Sequence, residues 1–504
     1  MNDAPRRFVI VGGGTAGWLS ALMLQEAFAQ QKLNATVTVV ESSKIPTIGV
    51  GEGTTAVFRQ MLKQFGFDEF EFLSETQATI KFGIRHKDWR RLGHHYDGPI
   101  DDPHLVVEPA GSRPQSYIDI FSCAASRRLA DTHLFAYLLD QHKAPFARKA
   151  DGGLVPIGPY HHAYHFDQAL AGQYLRRKSK GVEIIDAQVS GAKRDPVTGD
   201  ITALIGDAGD IAGDFFIDCT GFRRALISGV MGGAWVSYRD VLPLNRAMPF
   251  WLDIKEGEEL SPFTMAWAQK AGWLWMIPTQ ARIGCGYVYS DAFTTPDQAK
   301  AEIESVLGQK IEPRNDIKID AGRQREAWIG NCLSIGLASS FLEPLEATSI
   351  HGTIVQMMVF TRFHLKTLDG RNAYNDLAAR QVDDFRDFIN LHYVSERRDT
   401  PFWEAVAADF ISPATKARLA LWKAKMPEYE DFMPLPGGFA HTEQQLHYPV
   451  LDGLGLLNRD IARKFMDAHP DLKNKGKAAA DSLSAEYRAA APRALGHREF
   501  LQSL

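Results

Sequence analysis

Phe8-Val9-Ile10-Val11-Gly12-Gly13-Gly14-Thr15-Ala16-Gly17 decides the fold. Four apolar, mostly β-branched residues predict a short strand buried on both faces. The strand runs into glycines, and Gly12, Gly14 and Gly17 fit the G-x-G-x-x-G spacing. From Trp18 to Gln30 the apolar residues Leu22, Leu24, Ala27 and Phe28 fall near helical spacing. A second strand, Ala35 to Val40, ends at Glu41, 24 residues after Gly17. The first glycine permits a tight turn, and the second lets backbone approach a pyrophosphate. The third lets helix and strand pack closely, and the helix N-terminus faces the anion. Glu41 stands at the usual distance for a ribose hydroxyl. The stretch therefore predicts a dinucleotide site built on Gly12, Gly14, Thr15, Ala16, Gly17 and Glu41. The motif does not separate FAD from NAD, although its place at the start of a long chain leans towards FAD.

Around this start the 504 residues allow roughly three units at about 150 residues each. Hydrophobic residues are 45% and charged residues 23%, close to a globular average, which excludes disorder and coiled coil as the main description. Lys and Arg number 56 against 61 Asp and Glu, so the net charge is −5 and a nucleic-acid partner is not expected. The four cysteines, 123, 219, 285 and 332, are too widely spaced for a metal knuckle or disulfide framework. No run of 18 apolar residues predicts a membrane span. Arg6-Arg7 before an apolar stretch imitates a signal peptide, but the glycines interrupt it and no Ala-x-Ala-like cleavage site follows. A reducing, cytoplasmic location is expected.

Further along, Gly49-Val50-Gly51-Glu52 is a second glycine-rich loop, followed by an amphipathic segment from Val57 to Phe65. It reads either as a cover for the same nucleotide or as a plain loop with a helix cap. Residues 93–115 read as loop, Phe166 to Lys178 as helix and Val182 to Val189 as strand. Phe215 to Asp218 reads as a further sheet strand, and the end of the chain from about Lys473 as peripheral helix. Thr79-Ile80-Lys81-Phe82-Gly83-Ile84 reads as one strand, with Lys81 opposite the apolar face. A lysine there is ordinarily solvated; buried in a cavity, it would be a weaker base with a useful lone pair.

Trp273 and Trp275 share a strand face with Ile277, before Pro278. They read as core or as a wall between compartments. Glu346 precedes a long helical pattern and reads as an ordinary first-turn acid, or as a carboxylate poised to accept a proton. The cluster Tyr160, His161, His162, Tyr164 and His165 lacks a properly spaced Cys or carboxylate. Like His94 and His95, it predicts pocket lining and no metal site.

These pieces, in this order, resemble the flavin-dependent halogenases of the tryptophan halogenase family. The match comprises Gly12 to Gly17, the loop at 49–52, Lys81, Trp273-x-Trp275-x-Ile277-Pro278 and Phe-x-Glu-Pro-Leu-Glu at 341–346. The resemblance implies an α/β fold: a Rossmann-like, three-layer FAD-binding domain assembled from residues 1–100, 155–235 and 325–375. Residues 101–154, 236–324 and 376–504 would form a mainly helical substrate-binding part. Lys81 and Glu346 fall on the family's catalytic lysine and glutamate, and Thr348 and Ser349 where backbone amides hold the halide. FAD contacts are expected at the glycine loop, Glu41, Gly49, Val50, Gly51, Glu52, Val189, Leu337 and Ile350. Trp273, Trp275, Ile277 and Pro278 would wall a tunnel.

The implied reaction uses FADH2 from a separate flavin reductase, O2, and chloride or bromide. It makes hypohalous acid, which Lys81 holds for attack on an electron-rich aromatic. A homodimer is compatible with the resemblance. Two departures stand out. Ala347-Thr348-Ser349 replaces the frequent Ser-Thr-Gly, and Gly437 to Gly455 has no counterpart of the Tyr- and Glu-bearing segment that grips free tryptophan. The expected substrate is therefore an indole or similar ring without the amino-acid handle. The rivals are a flavin monooxygenase that hydroxylates the ring and a non-catalytic flavin-binding protein.

Overall fold

The computed structural model describes residues 6–45, 51–109, 116–432 and 444–504. Gly49 and Val50 lie outside the described residues. The strand Arg6–Val11 is central to a six-stranded sheet. Across the sheet the order is Glu183–Asp186, Ala35–Glu41, Arg6–Val11, Phe215–Asp218, Cys332–Ser334 and Trp328–Ile329. The first five are parallel, and only the final hairpin strand is antiparallel. This sheet draws its strands from three separate stretches of sequence. Register places Val11 beside Val40 and Asp218, and Asp218 beside Ser334. The carboxyl ends of these strands thus share one edge, where an open α/β sheet binds its ligand. Phe8 and Ile10 pack against helix Thr15–Gln31, while Val9 and Val11 belong to a second core with Phe216 and Leu226.

A seven-stranded sheet forms the other half. Its centre is the hairpin Gly272–Pro278 and Arg282–Tyr289, and its far edge is Gly83–Lys87 with His95–Pro99. The last strand corrects the loop expected over 93–115. Arg85 pairs across the ladder with Asp97 through an ion pair of 2.8 Å, and His86 stacks on Tyr96 at 4.6 Å. Cross-strand pairing overrides the glycine, proline and histidine content.

Three more expectations need adjustment. The strand expected over 79–84 divides into Thr79–Lys81 and Gly83–Lys87, in different sheets, because the Phe82 amide donates to Pro262. Val182 to Val189 is not one strand: Glu183–Asp186 joins the parallel sheet and Val189–Arg194 starts an antiparallel one. Residue 166 belongs to the strand Ala163–Phe166, and the helix begins at Gln168 with the Asp167 carboxylate capping it.

The last long helix lies at the surface with one face buried, as the sequence suggests. Helix Pro470–Ala490 packs on Tyr117–Ala124. Beyond it, buried His497 bridges two segments: Nδ1 lies 2.8 Å from the Leu260 carbonyl and Nε2 accepts the Ile80 amide at 3.1 Å.

Trp89 joins segments that are far apart in the sequence. It is fully buried, donates Nε1 to the Ala266 carbonyl at 3.0 Å, and meets the rings of Trp273, Tyr393 and Trp403 at 6.2, 5.2 and 6.0 Å. Trp89→Ala is expected to lower stability by about 3–5 kcal/mol, read as a fall in denaturant midpoint at unchanged slope.

Candidate active site

The glycine loop shows why its residue types are required. Gly12 has φ +118°, and a Cβ there would lie 2.3 Å from the Cys219 carbonyl oxygen. A Cβ on Gly17 would lie 1.9 Å from the Gly12 oxygen, and one on Gly13 would strike the Glu41 carboxylate. Gly14 instead has nothing within 4 Å. Two of the motif's glycines close the turn and the middle one leaves space.

That space belongs to a cavity of about 580 Å³. Gly12, Gly14, Thr15, Ala16, Glu41, Gly51 and Glu52 line it, with Val189, Leu337 and Ile350. The same cavity continues to Lys81, Thr348, Ser349, Trp275 and Ile277. Gly17, Trp273 and Pro278 stand behind its wall. The Thr15 hydroxyl, at the first turn of the helix, is buried without a hydrogen-bond partner. An open glycine, an unsatisfied hydroxyl and a helix N-terminus together fit the diphosphate of a flavin dinucleotide. Glu41 is already engaged, accepting from Arg176 at 2.9 Å.

Lys81 sits on the edge of a small sheet formed by Glu52–Gly53, Ala163–Phe166 and Thr79–Lys81. It is 1% exposed, so the solvated-face reading fails. Its Nζ donates to the Thr54 carbonyl at 2.9 Å. A Cβ at Gly53 would lie 3.3 Å from that nitrogen, so glycine makes room for the ammonium. Burial pushes Lys81 down to about 8, and the Glu346 charge opposes the fall.

Glu346 lies on the turn Pro344–Glu346, ahead of helix Thr348–Val359, and does not line the flavin cavity. Ala347 between them takes φ +54°, a left-handed reversal uncommon for a residue with a Cβ. The Glu346 carboxylate lies 3.2 Å from His86 Nε2 and 2.9 Å from His392 Nε2. Burial would push the carboxyl up, but the two imidazoles outweigh it and hold it at about 2.

Glu343, one turn earlier, is fully buried. It accepts from Trp273 Nε1 at 3.0 Å and from the Tyr393 hydroxyl at 2.5 Å, and burial raises it to about 7. Trp273 is thus pinned, with Trp275 beside it at 6.3 Å. The sequence contains Glu343 in its Glu-Pro-Leu-Glu run, but nothing in the spacing reveals its partner. His86 and His392 carry no signal at all, because they meet Glu346 only through tertiary packing.

The histidine cluster does not line this cavity. His162 Nε2 meets Glu69 at 2.6 Å, His161 meets Arg59 at 2.8 Å, and His165 meets Thr264 at 2.9 Å. His94 and His95 also lie away from it. Asp218 is buried and fully engaged, accepting from the Thr220 amide and hydroxyl and from the Leu226 and Ile227 amides. It shapes the loop that closes on Gly12.

Residues 7–457 match the Tryptophan halogenase family. The chain belongs to the tryptophan halogenase family. This halogenase is 33% identical to the tryptophan 6-halogenase SttH of Streptomyces toxytricini over 463 residues, covering 85% of this chain and 86% of that one. The solved structure of BrvH, a flavin-dependent halogenase from Brevundimonas sp. BAL3, superposes with TM-score 0.83 at 31% identity and covers 100% of both chains. A tryptophan C-6 flavin-dependent chlorinase from taromycin biosynthesis gives 0.86 at 30% identity, covering 99% of each. The halogenase is thus an oxidoreductase of the flavin-dependent kind, and its mixed α/β architecture is the family's. Among the described residues no helix is long and apolar enough to cross a membrane.

The orphaned Thr15 hydroxyl supplies a test of the cofactor fit. Thr15→Val is expected to leave the apoprotein folded and to weaken FAD binding about 3- to 10-fold, in line with one lost hydrogen bond. Fluorescence titration against FAD reads the change.

Proposed function

We propose that this halogenase uses FADH2 from a separate reductase, O2, and chloride or bromide to halogenate an indole or another electron-rich aromatic ring. The observation that carries this reading is the placement of buried Lys81 in the cavity that begins at the glycine loop. When bound, the reduced flavin supplies the two electrons that turn O2 and halide into hypohalous acid. The protein's own residues do the rest. Thr348 and Ser349 present the unpaired amides of a helix start towards the cavity, where an anion is favoured. Gly12 to Ala16, Glu52, Val189, Leu337 and Ile350 hold the dinucleotide. Trp275 and Ile277 wall the passage, and Trp273, pinned by Glu343, backs them.

Lys81 receives the hypohalous acid. As an ammonium it donates a hydrogen bond to the oxygen; as a neutral amine it forms an N–halogen bond and releases water. Enclosure keeps the oxidant from side reactions. Glu346, held ionised by the imidazoles beside it, favours the cationic ring and accepts its proton as aromaticity returns. The discontinuous parallel sheet is the FAD-binding domain, and residues 101–154, 236–324 and 376–504 contribute the substrate side.

The C-terminal segment supports a substrate without an amino-acid handle. Residues 437–443 lie outside the described residues. In helix Gln444–Leu454, Tyr448 donates to the Pro427 carbonyl at 2.6 Å and Asp452 accepts the Leu129 amide at 3.2 Å. Both polar groups are therefore engaged in holding the fold.

Lys81→Ala is expected to abolish the halogenated product while the flavin reoxidises at the wild-type rate; persistent halogenation would overturn the Lys81 assignment. Glu346→Gln should lower turnover about 10²- to 10⁴-fold with flavin reoxidation unchanged. In competition, indole should be halogenated in preference to free tryptophan; a strong tryptophan preference sinks the substrate assignment. The amine route makes a further demand. Its reactive form grows as pH rises through about 8, so single-turnover halogen transfer should quicken from pH 7 to 9.

A further inference from the structure

Glu346, His86 and His392 converge from three distant parts of the chain. The carboxylate comes from the turn Pro344–Glu346, His86 from strand Gly83–Lys87, and His392 from the end of helix Arg371–His392. One possible ligand atom from each of the three lies within 4.8 Å of those of the other two. Both imidazoles are fully buried, and the Glu346 side chain is 13% exposed.

The distances from Glu346 Oε1 are 3.2 Å to His86 and 2.9 Å to His392, yet none of the three atoms makes a hydrogen bond. The imidazole nitrogens approach the oxygen without pointing an N–H at it. Buried polar atoms left in this state need an explanation. One is supplied by the other face of His392: its Nδ1 lies 2.9 Å from the Phe388 carbonyl, which can only accept, so that nitrogen carries the proton. In the neutral ring Nε2 is then a bare lone pair, and it faces a carboxylate oxygen.

Donor atoms about 2.1 Å from one ion stand about 3 Å apart when set at right angles and about 3.4 Å apart in a tetrahedron. The separations from Glu346, 3.2 and 2.9 Å, are close to these figures. A backbone carbonyl fixing the tautomer of a ligating histidine is also the usual outer support of a metal site. We infer that His86, His392 and Glu346 form a binding site for a divalent transition-metal ion, and that occupancy silences the halogenase. Two neutral imidazoles and one carboxylate suit Zn²⁺, Co²⁺ or Ni²⁺, whereas Mg²⁺ and Ca²⁺ prefer oxygen. Water would fill the remaining positions on the side where Glu346 is exposed. The ion takes the carboxylate that the proposed reaction uses for the cationic ring. Only this inhibitory consequence rests on the proposed function; binding itself does not.

The test uses tag-free, EDTA-dialysed protein. Zn²⁺ is titrated against a chromophoric chelator, and Co²⁺ is followed by its visible absorption. The site predicts one ion per chain, a Co²⁺ spectrum with nitrogen ligation, and at least a 10-fold loss of affinity in both His86→Ala and His392→Asn. Thermal melts of each variant check its fold. Zn²⁺ should stop product formation while leaving flavin reoxidation intact, and EDTA should restore it. No stoichiometric binding at micromolar Zn²⁺, or binding unchanged in both folded variants, overturns the site. Binding without loss of halogenation overturns the silencing. If the metal-free enzyme halogenates no aromatic at all, the functional reading fails while the titrations still judge the site.

Discussion

A buried ammonium is the feature to which the rest of this structure answers. Lys81 is 1% exposed and its affinity for a proton has fallen from 10.5 to about 8. A drop of that size corresponds to about 3 kcal/mol against the charged form. The fold offsets it with one carbonyl at 2.9 Å, that of Thr54, and with the field of Glu346. It also fixes the strand from several sides. The Thr79 hydroxyl donates to the Pro278 carbonyl at 2.7 Å, the Ile80 amide donates to His497, and the Phe82 amide to Pro262. Residues from the tryptophan hairpin and from the C-terminal end of the chain thereby hold one lysine in place. Such positioning matters because a flexible amine in a cavity would find water or its own backbone before it found an oxidant.

The same logic explains the aromatic wall. Trp89, Trp273, Tyr393 and Trp403 make tilted and edge contacts with one another, the arrangement that aromatic quadrupoles favour. Their polar atoms are satisfied: Trp89 by Ala266, Trp403 by Gln269, and Trp273 and Tyr393 by Glu343. The wall is therefore rigid as well as apolar. Trp275 lines the flavin cavity, and Glu346 lies outside it. Space on one side and a carboxylate on the other are what the proposed divided reaction requires.

What was legible in the sequence follows from range. The glycine turn, its strand and its helix are local, and each glycine is demanded by a clash within the motif or with the adjoining strand. The tryptophan strand was legible for the same reason, since the alternation of Trp273, Trp275 and Ile277 is local. His95–Pro99 was not, because its strand character comes from partners eight to sixteen residues away and its composition reads as loop. The burial of Lys81 could be posed from its strand but not decided, because Thr54, Glu346 and His497 arrive from remote segments. His86 and His392 were invisible altogether: neither lies within 40 residues of Glu346, and a histidine has no preferred pattern by which to announce a neighbour.

The two carboxylates of Glu-Pro-Leu-Glu show how far surroundings outweigh sequence position. Glu343 and Glu346 are only three residues apart, yet one rises to about 7 and the other falls to about 2. Glu343 meets only neutral donors, an indole N–H and a phenol, and these do not repay the desolvation of a charge in an aromatic core. Glu346 meets two imidazoles at 3.2 and 2.9 Å, whose influence outweighs the same penalty. A carboxyl that readily takes up its proton suits a structural clamp on Trp273, where a fixed negative charge would be a burden. One that stays ionised suits chemistry on a cationic ring, because a ring that has just gained halogen is a strong acid and needs a base that is charged and near, not one of high basicity. Divergent environments on neighbouring residues thus suit the two glutamates to different work in the proposed reaction.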